Sequence, residues 1–530
     1  MNKKTLAAAL ILLALSAASA AFSADAPKKV INYANGNAPP VLEPVMNQYL
    51  KTSYLMYNIF CGLARIGKNG IAELAYAESY DVGKDGVTYT FKIRKDSKFS
   101  DGSPLTAKDW EESFKYRLSP DVASPGINLY LYVKNAEAYN QGKAKAEDVG
   151  IKALDDATLQ IVFENPTPFF MDLICYYIPY KMDLIKKNQE WFKKPETYIG
   201  NGAFRVKKLD PQVGFVLEKN PYYYDASNVK IDEVNYNFID DDAVALEAYK
   251  KGDLDIDDSL NAEALRSFAG TQELKSFPTI GTFYFSVHTA NVPDPRVRKA
   301  MSLAIDRGVL IKNILGKSDI PAEGIVPYGI HWGNKEFREV AGPLIETDIE
   351  KAKKLLEEAG HPEGKGLKPI RIITMNSQSD VDCAQALQSM FKQIGIQSEI
   401  ASFEPAAYDY DLIGANNWDI AYDGWIGDYD DPKTNLFLWQ AYRQGPDKDI
   451  RWYDTPNAKE FERLMKSADT LEKEQRLAVF RDAERTILDD MPVIPLWHSI
   501  DTILIKPEVM GIVKSNIGHV YFHYADVAAK

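Results

Sequence analysis

The sequence predicts a mixed α/β fold, because strand patterns and capped helices alternate along most of the chain. The clearest unit spans residues 370–374, 381–394 and 396–402, which have the patterns of a strand, a helix and a second strand. Gly395 is a typical helix stop before the last strand. A helix that joins two strands in this way makes them parallel. With 530 residues, the chain is long enough for more than one lobe.

An antiparallel strand and a helix are predicted near the start of the chain. Residues 87–94 alternate between apolar and polar side chains directly after Asp85-Gly86, a dipeptide typical of tight hairpin turns. Thr106 and Asp109 then have the spacing of a capping box, so a helix is expected to follow.

Two more helices are predicted from capping residues in the second half of the chain. Asp294 can cap free backbone amides, and Pro295 in the first turn loses no hydrogen bond. Thr347 and Glu350 have capping-box spacing, and Gly360 ends the helix that follows them. These signals support the mixed α/β class without marking lobe boundaries.

The first 20 residues have the pattern of a cleaved secretory signal. Lys3 and Lys4 precede an apolar run over residues 6–15, and Ala-Ser-Ala ends at residue 20. The apolar run is too short to span a bilayer. The first cysteine, Cys61, lies far from the cleavage site, so we expect an exported protein without a lipid-anchored cysteine.

The charge balance argues against nucleic acid and anionic membranes as partners. The chain has 62 Lys and Arg against 75 Asp and Glu, a net charge of −13. Removal of Lys3 and Lys4 with the signal leaves 60 basic residues and a charge of −15. A strongly acidic surface repels polyanions.

Cys61, Cys175 and Cys383 are widely spaced and odd in number, which is typical of neither a disulfide framework nor a metal cluster. We interpret them as buried thiols. In an oxidising compartment one pair can bridge, and the sequence does not say which.

We find no catalytic or metal-binding motif, so we expect no cofactor and no metal. His519 and His523 flank a strand pattern that would hold them about 13 Å apart, too far for one metal ion. The acidic runs 240–242 and 428–431 lack calcium-loop spacing and are interpreted as solvated. Paired distant carboxylates of a glycosidase leave no sequence signature, so a hydrolase stays open.

Residues 418–432 form the most informative segment, WDIAYDGWIGDYDDP. Ile420 and Tyr422 alternate with Asp419 and Ala421 as in a strand, and residues 424–428 are expected to break it. A glycine beside an aromatic residue and a carboxylate lets a foreign backbone approach, and the carboxylate of Asp428 can hold an ammonium group. The alternative is an ordinary turn with a core tryptophan.

Several phrases together resemble one family. They are SDGSPLTAKDW from residue 100, GNGAFRVKKLDPQVGFVLEKNPYYYD from residue 200, DPRVRKAMSLAIDR from residue 294 and DIEKAKKLLEEAG from residue 348. In this order they resemble the large periplasmic solute-binding proteins of ATP-binding-cassette importers for oligopeptides and dipeptides. Within that family the oligopeptide binders are the most similar.

The resemblance implies a periplasmic-binding-protein-like hinge fold with two lobes and an additional α+β domain. Lobe I would comprise residues 31–60, 184–281 and 497–530, the extra domain residues 61–182, and lobe II residues 282–496. The lobes would close over one peptide ligand, and the monomeric, loaded protein would dock on a membrane permease. The resemblance implies no chemistry on the ligand.

The resemblance also implies the ligand-binding residues. Asp428 falls on the aspartate that holds the peptide's α-amino group, Trp425 would line a side-chain pocket, and the backbone around residues 424–426 would pair with the peptide. The full set is Tyr422, Asp423, Gly424, Trp425, Ile426, Gly427 and Asp428, with Gln48, Tyr49 and Leu50 on the opposite edge.

The chain departs from the family's pattern where the peptide carboxylate is recognised. Asp380, Ile413 and Tyr422 stand at places where oligopeptide binders use basic residues, so carboxylate recognition does not carry over. The family's disulfide positions fall on Gly281 and Ile426, which cannot bridge.

Two pocket aromatics of the family, a tyrosine and a tryptophan, fall near Gly126 and Ala406. Asp423 is an added acid beside Trp425, interpreted as solvated or as a selector for a basic side chain.

Two other functions stay open at this point. The same fold can bind a dipeptide, an oligosaccharide or another non-peptide ligand, and the aromatic content of 12% would allow sugar stacking. A secreted hydrolase with two distant carboxylates belongs to another class, and turnover of a peptide or glycoside panel would reveal it.

Overall fold

The computed structural model describes residues 28–39, 41–47, 50–315, 319–404, 407–408, 417–440, 452, 454–471 and 473–528. The signal segment predicted at residues 1–20 lies outside these ranges. Within them, none of the helices combines the length and apolar character that a membrane crossing requires.

The strands are numbered in chain order. They are β1 Val30–Ala34, β2 Ala64–Ile66, β3 Ala72–Leu74, β4 Ala77–Val82, β5 Thr88–Ile93, β6 Ile151–Asp155, β7 Thr158–Val162, β8 Phe204–Asp210, β9 Gly214–Lys219, β10 Glu233–Asn237, β11 Ile256–Asp257, β12 Leu274–Val287, β13 Ile320–Pro321, β14 His331–Trp332, β15 Lys335–Glu336, β16 Ile370–Met375, β17 Ser398–Phe403, β18 Ile420–Ile426, β19 Val493–Ile505, β20 Val509–Met510, β21 Val513–Lys514, β22 Val520–Tyr521 and β23 Asp526–Val527.

The α-helices are numbered in the same way. They are α1 Leu50–Ile59, α2 Ala107–Leu118, α3 Ala136–Asn140, α4 Phe170–Tyr176, α5 Met182–Ile185, α6 Asp242–Lys251, α7 Ala262–Ser267, α8 Pro295–Leu303, α9 Arg307–Val309, α10 Phe337–Ala341, α11 Ile349–Glu358, α12 Gln378–Lys392, α13 Lys433–Leu436, α14 Pro456–Ala468 and α15 Lys473–Asp490.

A mixed sheet runs through most of the molecule, with the strand order β17-β16-β18-β12-β19-β11-β1-β10-β9-β8, and β13 paired to β19. The pairs β16–β17, β16–β18, β1–β10 and β1–β11 are parallel, and the other pairs are antiparallel. A separate antiparallel sheet has the order β4-β5-β7-β6. The predicted mixed α/β class is confirmed.

Most of the predicted local elements are confirmed. The strand–helix–strand unit is β16, α12 and β17, with its two strands parallel. Strand β5 pairs antiparallel with β4 across the Asp85-Gly86 turn. The capping box before α2 is present, with the Thr106 N–H donating to the Asp109 carboxylate over 2.7 Å.

The predicted cap of helix α11 is wrong by one residue. The carboxylate of Asp348 accepts the Lys351 N–H over 2.9 Å and is the N-cap. The Thr347 hydroxyl instead donates to the Ile305 carbonyl over 2.7 Å, so a tertiary contact outcompetes the local capping box. The cap at Asp294 is confirmed, because its carboxylate accepts the Arg296 N–H.

Two long strands join the two largest hydrophobic cores. The first core draws almost all its buried side chains from residues 31–256 and 503–525, and the second core from residues 280–497. Strands β12 and β19 have 14 and 13 residues, longer than most strands, and pass from one core into the other. Their register shifts between Pro278 and Thr282, where one core gives way to the other.

A buried ion pair lies in the second core. Arg338 and Glu484 are both fully buried and paired, and the Glu484 carboxylate also accepts the N–H groups of Ile325 and Val326 over 2.6 and 2.8 Å. Arg338 donates to the Val326 carbonyl as well, so the pair anchors the chain after β13 to helix α15.

We expect Glu484→Gln to lower the free energy of unfolding by about 3–5 kcal/mol, because it leaves the Arg338 charge buried without its counter-ion. Urea denaturation measures this change. The matched control is Glu460→Gln, whose partner Arg463 is exposed, and it should change stability by less than about 1 kcal/mol. Equal losses in both variants would contradict the assignment.

Candidate ligand-binding site

The predicted ligand segment forms strand β18 and the turn after it. The strand pairs antiparallel with β12, so that Gly424 lies opposite Phe283 and Ile426 opposite Gly281. The prediction that the strand breaks at Gly424 is wrong, since the strand continues to Ile426 and ends before Gly427.

Gly424 keeps the strand regular because a side chain there would collide with the protein itself. A Cβ atom at residue 424 would lie 2.6 Å from Cδ1 of Phe283. Likewise, a Cβ at Gly427 would lie 2.5 Å from the Thr434 methyl group and 2.9 Å from Ile280 Cδ1. Both glycines therefore serve internal packing, independently of any ligand.

One edge of β18 faces away from β12. In the described part of the chain, β16 accompanies β18 only at Ile420 and Ala421. Further along, the Gly424 N–H donates to the Asp423 carboxylate over 2.7 Å, and the Tyr422 carbonyl accepts from the Tyr408 hydroxyl. Because alternate residues of a strand direct their backbone groups to the same edge, the backbone of Ile426 shares this edge with those of residues 422 and 424.

The end of β18 forms one wall of a cavity of about 530 Å³. A volume of this size suits a small ligand. The other walls come from predicted lobe I and from the predicted extra domain. The lining residues are Asn47, Ser53, Met56, Tyr57, Arg117, Pro125, Gly126, Asn128, Leu129, Tyr176, Trp425, Ile426, Gly427, Asp428, Ile517 and His519.

Thr434 of helix α13 fixes the cavity wall in place. Its hydroxyl accepts the backbone N–H of Asp428 over 2.7 Å, and its carbonyl accepts the indole N–H of Trp425 over 2.8 Å. Thr434 is fully buried, whereas Asp428 is half-buried and lines the cavity. The Trp425 ring meets Phe437 edge-on, with the ring centroids 5.7 Å apart.

Arg117 is the cation of the cavity wall, but the protein itself occupies its donors. The guanidinium donates to the carbonyl oxygens of Gly126, Pro44 and Asn47 and to the Tyr180 hydroxyl. A guanidinium has five N–H donors, and these contacts use all of them. Arg117 therefore holds the loop around Gly126 and has no N–H donor left for a ligand carboxylate.

The histidine of the cavity wall is neutral. His519 is buried between Tyr57 and Tyr176, and burial lowers its pKa to about 3. The rings of Tyr57, Tyr176 and neutral His519 therefore form an aromatic surface in the cavity that can contact apolar atoms of a ligand. His523, which the sequence groups with His519, instead meets the Ile66 carbonyl 3.2 Å away.

The interpretation of residues 428–431 as a solvated acidic run is wrong for its last two members. Asp431 is buried and forms two hydrogen bonds with Arg476, at 2.7 and 3.1 Å. Asp430 accepts the backbone N–H and the ring Nδ1–H of His331 over 2.7 and 2.6 Å. The partners of these two acids lie far away in the sequence, so the spacing of the acidic residues gave no sign that they would be paired.

The structure places four of the ten predicted site residues at the cavity. Trp425, Ile426, Gly427 and Asp428 line the cavity, while Asp423 is exposed. Tyr422 packs among Phe283, Phe285 and Trp497, which shields much of its side chain from solvent and raises the pKa of its hydroxyl. On the opposite edge, Gln48 and Tyr49 lie outside the described residues, and Leu50 begins helix α1.

The structure describes some of the positions at which the chain departs from the family's pattern. Gly281 and Ile426 are cross-strand neighbours, where a disulfide would need two cysteines. Gly126 lines the cavity, and Asp380 lies in the first turn of α12. Ile413 and Ala406 lie outside the described residues.

Sequence reasoning missed Arg117, Tyr176 and Thr434. Each is a single polar or aromatic residue within an ordinary helix pattern, and each becomes part of the site only through contacts between distant segments. The arginine on helix α2 carried no local signal, because its partners come from the loops before α1 and after α2.

A cavity lined by residues of both large cores and by the carboxylate of Asp428 at the end of β18 is typical of a solute-binding protein. The family model "Bacterial extracellular solute-binding proteins, family 5 Middle" matches residues 72–447, and the chain belongs to this family. It is 30% identical over 513 residues to the oligopeptide-binding protein OppA of Bacillus subtilis (strain 168), covering 94% of this chain and 92% of that protein.

Two further similarities extend over almost the whole chain. The periplasmic oligopeptide-binding protein OppA of Escherichia coli (strain K12) is 29% identical over 533 residues, with 96% of both chains covered. The crystal structure of the oligopeptide-binding protein OppAIV from Borrelia burgdorferi has a TM-score of 0.80 at 27% identity, covering 94% of this chain and 100% of that chain. The predicted two-lobed periplasmic-binding fold is confirmed.

We expect Gly424→Ala to destabilise the folded protein by about 1–3 kcal/mol, because the added methyl group must displace the Phe283 ring. Thermal and urea unfolding measure the loss. Gly308→Ala is the matched control, since a Cβ there meets its nearest atom at an ordinary 3.5 Å. A Gly424→Ala variant as stable as the wild type would show that the strand packs differently.

Proposed function

We propose that this chain is the extracytoplasmic receptor of an ABC importer and binds oligopeptides in an extended conformation between its two lobes. The observation that carries the proposal is the position of Asp428, a carboxylate that lines the cavity at the end of a strand with a free backbone edge. The relatives named above are oligopeptide-binding proteins by name.

The α-amino group of the peptide binds the Asp428 carboxylate. A hydrogen bond between charged groups contributes about 1.5–3 kcal/mol, more than one between neutral groups. Arg117 does not bind the peptide's carboxylate, because its N–H donors are occupied within the protein.

The peptide main chain pairs with the free edge of β18, as an added strand. Main-chain pairing ignores side chains, which gives broad specificity. At Gly424 the peptide must take the N–H that the Asp423 carboxylate holds in this structure. Asp423 then turns toward the ligand, where it favours a basic side chain.

The predicted architecture completes the proposal. The ligand lies where residues 31–60, 184–281 and 497–530 of lobe I, residues 61–182 of the extra domain and residues 282–496 of lobe II meet. The signal at residues 1–20 directs export to the periplasm, and the monomer delivers the peptide to a membrane permease. The protein performs no chemistry on the ligand.

The decisive test is calorimetric titration of wild type and Asp428→Asn with alanine tri-, tetra- and pentapeptides and their N-acetylated forms. We expect the substitution to weaken binding of the free peptides about ten- to hundredfold, since the lost interaction is worth about 1.5–3 kcal/mol. Acetylation should weaken wild-type binding by a similar factor.

The control is Asp183→Asn, an exposed aspartate on helix α5, which should leave affinity unchanged. If acetylation and Asp428→Asn both leave wild-type affinity intact, the assignment of the amino group is wrong. If the wild type binds none of the peptides but native mass spectrometry finds a retained non-peptide compound, the oligopeptide proposal fails.

A further inference from the structure

Two tyrosines each pack into a different core from the residues next to them in the chain. Tyr429 directly follows Asp428, yet its buried ring belongs to the first core. Tyr176 of helix α4 does the reverse, since its neighbours Cys175 and Tyr177 pack in the first core while its own ring belongs to the second. The segment after the ligand strand and helix α4 are thus packed into each other.

The ring of Tyr429 is held from two sides. It stacks on Phe169, with ring centroids 4.1 Å apart and planes only 7° from parallel. Its hydroxyl lies 2.6 Å from the hydroxyl of Tyr132. Only 2% of Tyr429 is exposed, so the contact is dry. Both partners belong to the predicted extra domain, whereas Tyr429 belongs to predicted lobe II.

The next residue makes a polar contact between the same two parts. The Asp430 backbone N–H donates to the Asp172 carboxylate of helix α4 over 2.9 Å. The Asp430 carboxylate in turn accepts from His331 of strand β14. One residue beyond, Arg476 neutralises Asp431, so the segment is fixed to both sides of the junction.

We propose that Tyr429 and Asp430 form a clamp with Phe169, Tyr132 and Asp172 that holds the extra domain on the ligand strand when the lobes close, so that residues outside the cavity set ligand affinity. The proposal rests on the proposed function, because the ligand is taken to shift the protein further toward the clamped state, which the ligand-free protein also populates. Asp428 would bind the ligand and Tyr429, its chain neighbour, would hold the closed arrangement. Binding energy at one residue is thereby coupled to closure at the next.

The clamp contains groups that titrate near neutral pH. The titratable and charged groups that face Asp172 are Asp430, Asp431, His331 and, on its own helix, Cys175, with Arg476 paired to Asp431. Burial, reinforced by the charge of Asp430, raises the pKa of Asp172 to about 7. The hydrogen bond to Asp430 raises the pKa of His331.

The shift of Asp172 favours the clamped state in acid. A carboxyl group whose pKa is higher in the clamped state than in the open state takes up a proton on closing, so closure weakens as pH rises toward 7. His331 and Asp430 both belong to predicted lobe II, so their pairing does not depend on closure. Over pH 5–7 the peptide's α-amino group stays protonated, so its own titration does not contribute.

The first test is calorimetry with alanine tripeptide over pH 5–7. Wild-type affinity should fall as pH rises, by at most tenfold per pH unit for one linked proton, and Asp172→Asn should flatten this dependence. Phe169→Leu and Tyr132→Phe should weaken binding severalfold at temperatures where both ligand-free variants remain fully folded by circular dichroism. The controls Asp183→Asn and Tyr139→Phe, outside the clamp, should behave as the wild type.

The second test needs no ligand. Hydrogen exchange in the segment that contains the Asp430 amide should be faster in Phe169→Leu than in the wild type and unchanged in Tyr139→Phe. Equal exchange in Phe169→Leu and wild type overturns the clamp whether or not a peptide binds.

The two proposals fail in different ways. If the wild type binds alanine tripeptide and Asp428→Asn weakens binding while the clamp variants do not, only the clamp is wrong. If the wild type binds no peptide, the proposed function fails and the exchange experiment still decides the clamp.

Discussion

The pairing of β18 with β12 is the constraint on which the candidate site depends. Seven residues of β18 are in register with β12, and Gly424 is the position at which that register leaves no room for a side chain. Directly after the paired residues, Thr434 accepts two hydrogen bonds from this segment. Its hydroxyl accepts the backbone N–H of Asp428, and its carbonyl accepts the indole N–H of Trp425. A carboxylate on a flexible loop would lose conformational freedom each time it bound a ligand, which weakens binding. Here the strand and a buried threonine fix the backbone of Asp428 in advance.

The same strand is also connected to the rest of the molecule. Its partner β12 passes from the second core into the first. Tyr429, three residues after the end of β18, is packed into the first core. A ligand beside β18 would therefore contact an element that is connected to the other core both through β12 and through Tyr429. This arrangement suits a receptor that reports occupancy by changing shape.

Much of the fold could be predicted from the sequence, because its signals are local. The unit β16–α12–β17, the hairpin at Asp85-Gly86 and the cap at Asp294 depend on neighbouring residues, and the structure confirms them. Failures occurred where distant partners compete. Asp348 replaced Thr347 as a cap because Ile305 takes the threonine hydroxyl, and Asp431 is buried because Arg476 lies beside it. The site itself was predicted through a resemblance, and its supporting residue Thr434 was not, since a lone threonine gives no signal.

The central claim is that a peptide binds along β18 with its α-amino group on Asp428. A crystal structure of the protein with alanine tripeptide tests it most directly. The account predicts the amino nitrogen within about 2.7–3.2 Å of an Asp428 carboxylate oxygen, with the peptide main chain hydrogen-bonded to the edge formed by residues 422–426. A peptide whose amino group contacts another residue, or whose main chain lies away from β18, would contradict the account.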